Sequence, residues 1–298
     1  MGPRPHAAGP AHARHPGAVP AGVIEVVAPG PLATVQDLGR PGRLALGVPR
    51  SGAFDRAALR LANRLVGNDD GAAAVETTLG GLAVRFVDAA TIALTGALCP
   101  GAPGWGTAIT VGAGTTLRLG APRHGLRSYL AVRGGIALDP VLGSRSTDTL
   151  SGLGPAALRA GDMVPVGSSA PGEVSGAHVG AAPPDRRPLA IRFGPREDWF
   201  SAAARRHLLT TVWAVRSDCD RVGVRLDGPP LVRDRGGELP SEPVLPGAVQ
   251  VPADGRPIVF GPDAPVTGGY PVIAVVLDLD RVAQLRPGEA VRFRPGSG

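Results

Sequence analysis

The 298-residue sequence contains no lysine, so all 31 of its basic Lys/Arg positions are arginines. This absence excludes a phosphate-binding loop of the Walker A type, whose lysine reaches the nucleotide phosphates. It also excludes catalysis through a lysine Schiff base. Any phosphate or carboxylate group that the chain binds must therefore be held by arginine side chains, by backbone N–H groups or by a metal ion.

Cysteine and aromatic residues are also scarce, with two cysteines and 4% aromatic residues. Cys99 and Cys219 lack the spacing of metal ligands, and the six histidines are scattered, which argues against a structural zinc site. No histidine lies near Cys219 in sequence, which favours a small buried side chain over a nucleophile. The 44 glycines and 32 prolines favour many turns and short strands over long helices.

Long apolar runs are missing as well. The longest, residues 272–277, is far too short to span a bilayer. Residues 1–22 have no apolar core typical of a signal peptide, and we interpret them as a disordered extension. We therefore expect a cytoplasmic protein with no membrane contact. The net charge is only +6, and no arginine cluster has interleaved aromatic residues, which argues against a nucleic-acid partner.

The densest group of polar side chains lies in residues 34–55, TVQDLGRPGRLALGVPRSGAFD, which we call the polar loop. Its four glycines and two prolines specify a backbone shape, because glycine permits positive φ and proline fixes φ. Functional residues concentrate on shaped loops, so we predict a functional role, with a merely Gly/Pro-rich connection as the alternative. The polar members are Gln36, Asp37, Arg40, Arg43, Arg50, Ser51 and Asp55.

The remaining pattern predicts a mainly β protein with a few short helices. Apolar spacing predicts a helix at 57–66, with Asp55 as its N-cap and Asn63 on its solvated side. Two more helices are expected at 198–209 and 279–285. Short β-type segments separated by turns are typical of a sandwich or barrel. They lie at 23–27, 74–79, 82–87, 91–95, 115–119, 129–132, 162–166, 189–193, 211–215, 247–251, 257–260, 272–277 and 290–293.

A Pro/Gly-rich segment divides the pattern into two halves. Residues 167–187 are predicted to be a linker between a first β-domain at 23–166 and a second at 188–298. Short matches between the halves favour two similar β-domains with a site at their junction. Three further polar segments, 143–148, 217–221 and 261–271, are candidates for that site. In the last, backbone N–H groups of a glycine turn could cradle anionic oxygens, although such turns and Asp/Arg pairs are mostly structural.

Several separated motifs resemble the allophanate hydrolase subunit 2 family, also called the biotin-dependent carboxyltransferase domain family. They are TVQDLGRPG at 34–42, GVPRSGAFD at 47–55 and LANRLVGN at 61–68, with shorter matches through residue 271. The resemblance covers about residues 23–295 and implies a pair of β-barrel-like, cyclophilin-like domains. The sequence departs from the family at Arg50, usually a second proline, at Phe54, usually methionine, and at 221–224.

The resemblance implies a subunit of an ATP-dependent enzyme that opens the lactam of 5-oxoproline to give glutamate, with magnesium accompanying ATP in the complex. Companion subunits are expected, one of the first carboxyltransferase type and a third one, so the single chain should have little activity. One alternative is a carboxyltransferase half-site that uses biotin. Biotin attaches to a lysine amine, so it would have to be carried on another chain. A second alternative is a non-catalytic regulatory binding subunit.

The candidate residues follow from the motifs and this chemistry. Arg40, Arg145 and Arg221 would neutralise charge on a transferred phosphoryl group. Four aspartates could hold magnesium or position water, with the metal ligands left undetermined: Asp37, Asp55, Asp218 and Asp263. The predicted catalytic residues are Asp37, Arg40, Asp55, Arg145, Asp218 and Arg221. The predicted substrate-binding residues are Gln36, Ser51, Gln250, Asp263, Thr267, Gly268, Gly269 and Tyr270.

Overall fold

A computed structural model describes residues 21–168, 170–180, 187–237 and 239–296. Within these ranges the fold is mainly β, as predicted, and includes a nearly closed β-barrel. The helices are α1 (Arg56–Leu65), α2 (Ala202–Thr210) and α3 (Leu279–Val282), with 3₁₀ turns at Leu44–Leu46 and Glu197–Trp199. None of the described helices is long and apolar enough to cross a membrane.

The first half of the chain forms two antiparallel sheets. Their strand orders are β7-β4-β1-β9 and β2-β3-β8-β5-β6. Strand β8 is buried along its whole length, because Leu130 and Val132 face the core between the sheets while Tyr129 and Ala131 pack under α1. The strands are β1 (Gly22–Pro29), β2 (Leu32–Gln36), β3 (Ala74–Thr78), β4 (Leu82–Phe86), β5 (Ala90–Gly96), β6 (Ile109–Val111), β7 (Thr116–Arg118), β8 (Arg127–Val132) and β9 (Met163–Val166).

The second half forms an eight-stranded sheet in the order β18-β11-β12-β15-β14-β17-β10-β19 and a short two-stranded sheet, β13-β16. Trp213 and Leu208 lie in its core, with residues from α2 and α3. The strands are β10 (Leu189–Phe193), β11 (Trp213–Val215), β12 (Gly223–Asp227), β13 (Glu242–Pro243), β14 (Ala248–Gln250), β15 (Ile258–Phe260), β16 (Thr267–Gly268), β17 (Val272–Val276), β18 (Ala290–Val291) and β19 (Phe293–Pro295).

Phe54 links the two halves. It belongs to the polar loop of the first half, yet its fully buried side chain lies in the core of the second. The guanidinium carbon of Arg127 lies 4.2 Å from the centre of its ring, so a cation from the first half covers the aromatic face. Burying a phenylalanine side chain stabilises a fold by about 1.5–3 kcal/mol. The polar loop therefore anchors one half in the other.

Several sequence predictions need correction. The expected helix 198–209 is wrong in extent, because the Ser201 side chain accepts a hydrogen bond from the Ala204 N–H and starts a new helix after the 3₁₀ turn. Asn63 is wrong as a solvated residue, since it is fully buried and donates to the carbonyl of Ala72. The predicted strand 290–293 is two strands. The helix expected at 279–285 ends earlier, at Val282. Strands β2, β6, β12, β13 and β16 were not predicted.

The predicted extension and linker are only partly described. Residues 1–20 lie outside the described residues, and Gly22 already belongs to β1. Of the linker, residues 169 and 181–186 lie outside as well. The described linker residues contact the first half of the chain. The Gly172 N–H donates to the Gly67 carbonyl at 3.0 Å, and the Ser175 N–H donates to the Leu65 carbonyl at 2.9 Å. The division into two domains and the likeness to cyclophilin stay predictions.

Candidate functional site

The polar loop has the specified backbone shape that its glycines predicted. All four glycines have positive φ, between 72° and 92°. A Cβ at Gly39 would lie 2.4 Å from the Arg50 carbonyl oxygen, and one at Gly52 would lie 2.7 Å from the Gly39 nitrogen. The Arg40 N–H donates to the same Arg50 carbonyl at 2.8 Å. The two arms of the loop are therefore closed against each other, at a distance that only glycine allows.

Asp37 joins the polar loop to segment 143–148. Its carboxylate accepts hydrogen bonds from the hydroxyls of Ser144 and Ser146 at 2.7 and 2.6 Å. It also accepts from the backbone N–H groups of Gly39 and Arg145, at 2.7 and 2.6 Å. Four donors around one buried carboxylate leave little room for a metal ion, so in this conformation Asp37 fixes the relative position of two loops.

The arginines of these two loops bind backbone carbonyls. Buried Arg40 donates from Nη2 to Ser146 at 2.6 Å and from Nε to Val141 at 3.3 Å. Its Nη1 atom is buried and has no partner within the described residues. Half-buried Arg145 donates from Nε to Leu138. Neither arginine forms an ion pair with the described part of the chain, so their positive charge is uncompensated there.

Gln36, Ser51 and Thr147 meet at one buried point. The Gln36 side-chain amide and the Ser51 hydroxyl both donate to the Thr147 carbonyl, each at 3.0 Å. Two buried oxygens here, Oε1 of Gln36 and Oγ1 of Thr147, have no partner among the residues described. An unpartnered buried polar atom costs free energy, and in native proteins it requires an explanation. Together with Nη1 of Arg40, these oxygens leave two hydrogen-bond acceptors and one donor unpartnered, within the described structure, on the polar loop and segment 143–148.

Arg221 forms the centre of an ion network between the halves. It donates to both oxygens of Asp263 at 2.9 and 3.0 Å, to Glu76 at 2.5 Å and to the Gly52 carbonyl at 2.7 Å. All three charged side chains are buried. Burial opposes the charge on Arg221, but the two carboxylates outweigh it and raise its pKa. The single hydroxyl proton of Ser51 is shared between the Thr147 carbonyl and Asp263, whose carboxylate oxygen lies 2.8 Å from Oγ, and this contact links the network to the polar loop.

The network continues from Glu76 to the start of α1. Tyr129 donates to Glu76 at 2.6 Å and accepts from the Asp55 N–H at 2.8 Å. Burial, together with the charges of Glu76 and Asp55, raises the pKa of Tyr129 well above its usual value, so it stays protonated. Asp55 caps α1 by accepting from the Ala58 N–H at 2.8 Å, which confirms the predicted N-cap.

Asp55 itself contacts the second half. Its other carboxylate oxygen accepts from Gln284 at 2.7 Å. Burial raises the pKa of Asp55 to about 6, against the lowering effect of the hydrogen bonds from Gln284 and Ala58. A carboxyl group with a pKa near neutrality can exchange a proton under physiological conditions, as a general acid or base must. The same contacts also have a structural explanation, because Asp55 is buried and caps α1.

Other predicted site residues lie apart from this network. Asp218 has a side chain that is 49% exposed and forms a surface ion pair with Arg216. The Gln250 amide donates to the Tyr270 carbonyl at 3.1 Å. Among the described residues, none of the later members of the glycine turn hydrogen-bonds to the network. These members are Thr267, Gly268, Gly269 and Tyr270. Thr267 and Gly268 pair with β13, and Tyr270 is 46% exposed. Their predicted functional roles remain predictions.

The sequence reasoning missed Glu76, Tyr129, Arg127 and Gln284. Glu76 had a visible signal, because it is a charged residue at the centre of the β-type segment AVETT, and it is buried within β3. Gln284 had none, since it is a single amide just after a short helix, between the apolar residues Ala283 and Leu285. Its amide oxygen accepts from the N–H groups of Leu126 and Arg127 at 2.9 and 3.1 Å. These residues complete the contact between the halves.

Acidic, cysteine and histidine side chains do not form a metal centre in the described part of the chain: no group of three lies close enough to hold an ion. The four aspartates suggested for magnesium lie in different surroundings. Asp37 and Asp263 are already satisfied by donors, Asp55 caps a helix, and Asp218 is on the surface. A magnesium ion would thus need ligands from elsewhere, such as the phosphates of a nucleotide.

The chain belongs to the carboxyltransferase domain family, subdomain A and B, whose model matches residues 46–295. It is 41% identical to a 5-oxoprolinase subunit of Escherichia coli K12 over 91% of this chain and 90% of that protein. In structure it is similar to the urea amidolyase of K. lactis, with TM-score 0.83 and 32% identity, covering 93% of this chain and 19% of that one. It is also similar to TTHA0988, with TM-score 0.82 and 36% identity, covering 93% of this chain and 56% of that one.

Proposed function

We propose that the chain is a subunit of an ATP-dependent 5-oxoprolinase, which opens the lactam of 5-oxoproline to glutamate. The observation that carries this proposal is the 41% identity to a 5-oxoprolinase subunit across nine-tenths of both chains. A relative in Haemophilus influenzae with the same name is 34% identical, with 88% and 87% coverage. Similarity over nearly the full length of both relatives supports an equivalent role for the whole chain.

The reaction needs activation because an unstrained amide is a poor electrophile. Phosphorylation of the lactam carbonyl oxygen by ATP would release ADP and activate the carbonyl carbon. Water would attack that carbon, and the ring C–N bond would break as the nitrogen takes up a proton, leaving an acyl phosphate. A second water would hydrolyse the acyl phosphate to glutamate and phosphate. Charge that builds on the transferred phosphoryl group must be neutralised, and in a chain without lysine this falls to arginines and backbone N–H groups. Arg40 of the polar loop and Arg145 of segment 143–148, which lack ion-pair partners in the described structure, are the candidates for this role.

The unpartnered atoms of the polar loop fit a small polar substrate. The lactam N–H requires an acceptor, which Oε1 of Gln36 could supply, and the carboxylate of 5-oxoproline requires a donor, which Nη1 of Arg40 could supply. Asp55, whose pKa burial raises to about 6, would transfer a proton. Because these groups are buried, the substrate could reach them only after the loop opens or an associated partner chain rearranges it.

A second candidate function is a carboxyltransferase half-site, and the structural similarity to urea amidolyase favours it. Because this chain has no lysine, a biotin group would have to arrive on another chain. The chain spans only 19% of that urea amidolyase, so the activity of the larger protein does not follow from the match. A regulatory subunit without catalysis is the third candidate. We also propose a cytoplasmic location, where 5-oxoproline and ATP would both be available.

Both bacterial relatives are named as single subunits of 5-oxoprolinase, which implies a complex, so we propose that this chain is inactive alone. The test is to purify it singly and co-expressed with the companion subunits of its source. Glutamate formation that depends on both ATP and 5-oxoproline should appear only in the complex. Arg40→Gln should reduce that rate, whereas the control Arg85→Gln, at an exposed arginine paired with Glu25, should not.

Three outcomes would count against the proposal. Full activity of the single chain would contradict the need for companions. An assembled complex that hydrolyses no 5-oxoproline but carboxylates urea from a carboxybiotin carrier would favour the carboxyltransferase reading. A complex whose companion subunits are fully active without this chain, and only slowed or accelerated by it, would indicate a regulatory role.

A further inference from the structure

A cavity of about 300 Å³ lies at one end of the first half, where its two sheets separate. Strands β1, β4 and β9 line it from one sheet, and β5 and β8 line it from the other. None of the described residues that line it belongs to the polar loop. Small-molecule sites measure about 300–1,000 Å³ and often lie at the mouths of β-barrels. We call this space the end cavity.

The end cavity combines an apolar inner wall with polar groups at its opening. Buried side chains of the first core form the inner wall: Ile24, Phe86, Val132 and Val166. Exposed Asp88 and half-buried Thr91 and Arg133 lie further out. Apolar contact surface next to one anion, one cation and one hydroxyl group is the composition of a small-molecule site.

Arg133 brings a positive charge that has no ion-pair partner in the described structure. Its Nη1 and Nη2 atoms donate to the carbonyls of Val66 and Ala170 at 2.7 and 3.4 Å, which hold the guanidinium in place without neutralising it. Glu173 comes near through its backbone, since its carbonyl oxygen and Nη1 of Arg133 lie 2.6 and 2.5 Å from the position that a Cβ of Gly67 would take. The carboxylate of Glu173 nevertheless forms no ion pair with any described arginine.

Asp88 brings the opposite charge. It lies in the turn between β4 and β5, and among the described residues its carboxylate forms neither a hydrogen bond nor an ion pair. Its distance from Arg133 is limited by the chain, because Thr91 follows three positions later and its carbonyl accepts from the Arg133 N–H at 2.8 Å. The two charged residues therefore line one cavity without pairing with each other.

Two opposite charges that share a cavity without pairing favour a ligand that carries both. A carboxylate would accept from the guanidinium fork of Arg133, and an ammonium group would donate to Asp88. An α-amino acid has both groups on one carbon, and its side chain would contact the apolar inner wall. A simple anion would be repelled by Asp88, and a simple cation by Arg133.

We propose that the end cavity, through Arg133 and Asp88, binds a small zwitterion of the α-amino-acid type. The site is separate from the polar loop, and it goes beyond the proposed function without depending on it. L-glutamate is the first probe, because it is the product of the proposed reaction. Glycine is the second, because it carries the two charged groups without a side chain.

The test is titration calorimetry on the purified chain in about 50 mM salt, since binding to charged groups weakens at higher ionic strength. The third ligand is glutarate, which is glutamate without the ammonium group and should bind more weakly than glutamate. Asp88→Asn should weaken glutamate binding about tenfold or more, the loss expected for one charge-assisted hydrogen bond, and should not weaken glutarate binding. Arg133→Gln should weaken the binding of all three ligands.

Two control variants and thermal unfolding separate binding from structure. Glu173→Gln removes a charge near Arg133 from outside the cavity wall, and Arg85→Gln removes one from the surface pair with Glu25. Both should bind glutamate as the unaltered chain does. Asp88→Asn breaks no described hydrogen bond, so its ligand-free melting temperature should be unchanged. Glutamate should raise the melting temperature of the unaltered chain but not that of Asp88→Asn, which decides the test even where Arg133→Gln fails to fold.

Four results would overturn the proposal. The first is that neither amino acid binds at millimolar concentration, and the second is that the unaltered chain binds glutarate as tightly as glutamate. The third is glutamate affinity that Asp88→Asn leaves unchanged, and the fourth is an equal loss in Asp88→Asn and Glu173→Gln. All these measurements use the single chain. An assembled complex without 5-oxoproline turnover would therefore refute the proposed function and leave the zwitterion site standing.

Discussion

Replacing Arg221 with methionine tests whether the ion network holds the two halves together. Methionine has a comparable length and no charge, so the change removes the guanidinium while filling much of its volume. Buried Glu76 would keep Tyr129 as a donor and Arg127 as a cation at 3.6 Å, whereas buried Asp263 would keep donors such as Ser51 but lose its ion-pair partner. The Gly52 carbonyl would lose the hydrogen bond at 2.7 Å.

The magnitude follows from this geometry. Removing one partner of a buried ion pair costs about 3–5 kcal/mol, because the other charge stays in a medium that solvates it poorly. Arg221 has two carboxylate partners, so we expect a loss of about 4 kcal/mol or more in the free energy of unfolding at pH 7. The loss should shrink towards pH 4, because Arg221 lowers the pKa of Asp263 against the effect of burial, and without Arg221 the buried carboxyl group of Asp263 can take up a proton.

Urea unfolding followed by tryptophan fluorescence measures the loss. The control Arg216→Met removes an arginine from a surface ion pair with Asp218 and should have no measurable effect. In a double-mutant cycle, adding Asp263→Asn to Arg221→Met should cost much less than it does in the unaltered chain, because the two side chains form one network. A loss below about 1 kcal/mol for Arg221→Met, or additive effects in the cycle, would refute the bracing role.

Two further predictions concern the polar loop. Gly52→Ala should destabilise the chain by at least about 2 kcal/mol more than Gly42→Ala. Both changes replace a glycine at positive φ, but of the two only Gly52 approaches backbone atoms. Equal losses of unfolding free energy in urea would contradict this close contact. Asp55 has its pKa raised from 3.8 to about 6 by burial, so its contribution to stability is fully present below pH 3.8 and is lost as the pH rises through 6. Asp55→Ser keeps a capping oxygen but does not titrate, so the stability of the unaltered chain relative to this variant should fall by about 3 kcal/mol between pH 3 and 7. A pH-independent difference in urea unfolding would show that burial does not perturb Asp55.

The sequence determined the features that depend on neighbours along the chain. Short β-type segments separated by turn residues predicted most of the strands, and Asp55 before an apolar helical pattern predicted the start of α1. The glycines of the polar loop predicted its constrained shape. Prediction was weaker where a strand is held only by distant partners, as for the two-residue strands β13 and β16, which have no pattern of their own.

The tertiary structure alone decided how the polar residues are used. Arg221 meets Glu76 across 145 positions of sequence, and Asp37 meets the hydroxyls of Ser144 and Ser146 across more than a hundred. Whether a buried arginine is compensated by carboxylates, as Arg221 is, or has no ion-pair partner among the described residues, as for Arg40, depends on which segments the sheets bring together. Sequence spacing cannot supply that information, because the strength of a charge interaction is set by distance and burial, and both are fixed only when the two halves pack.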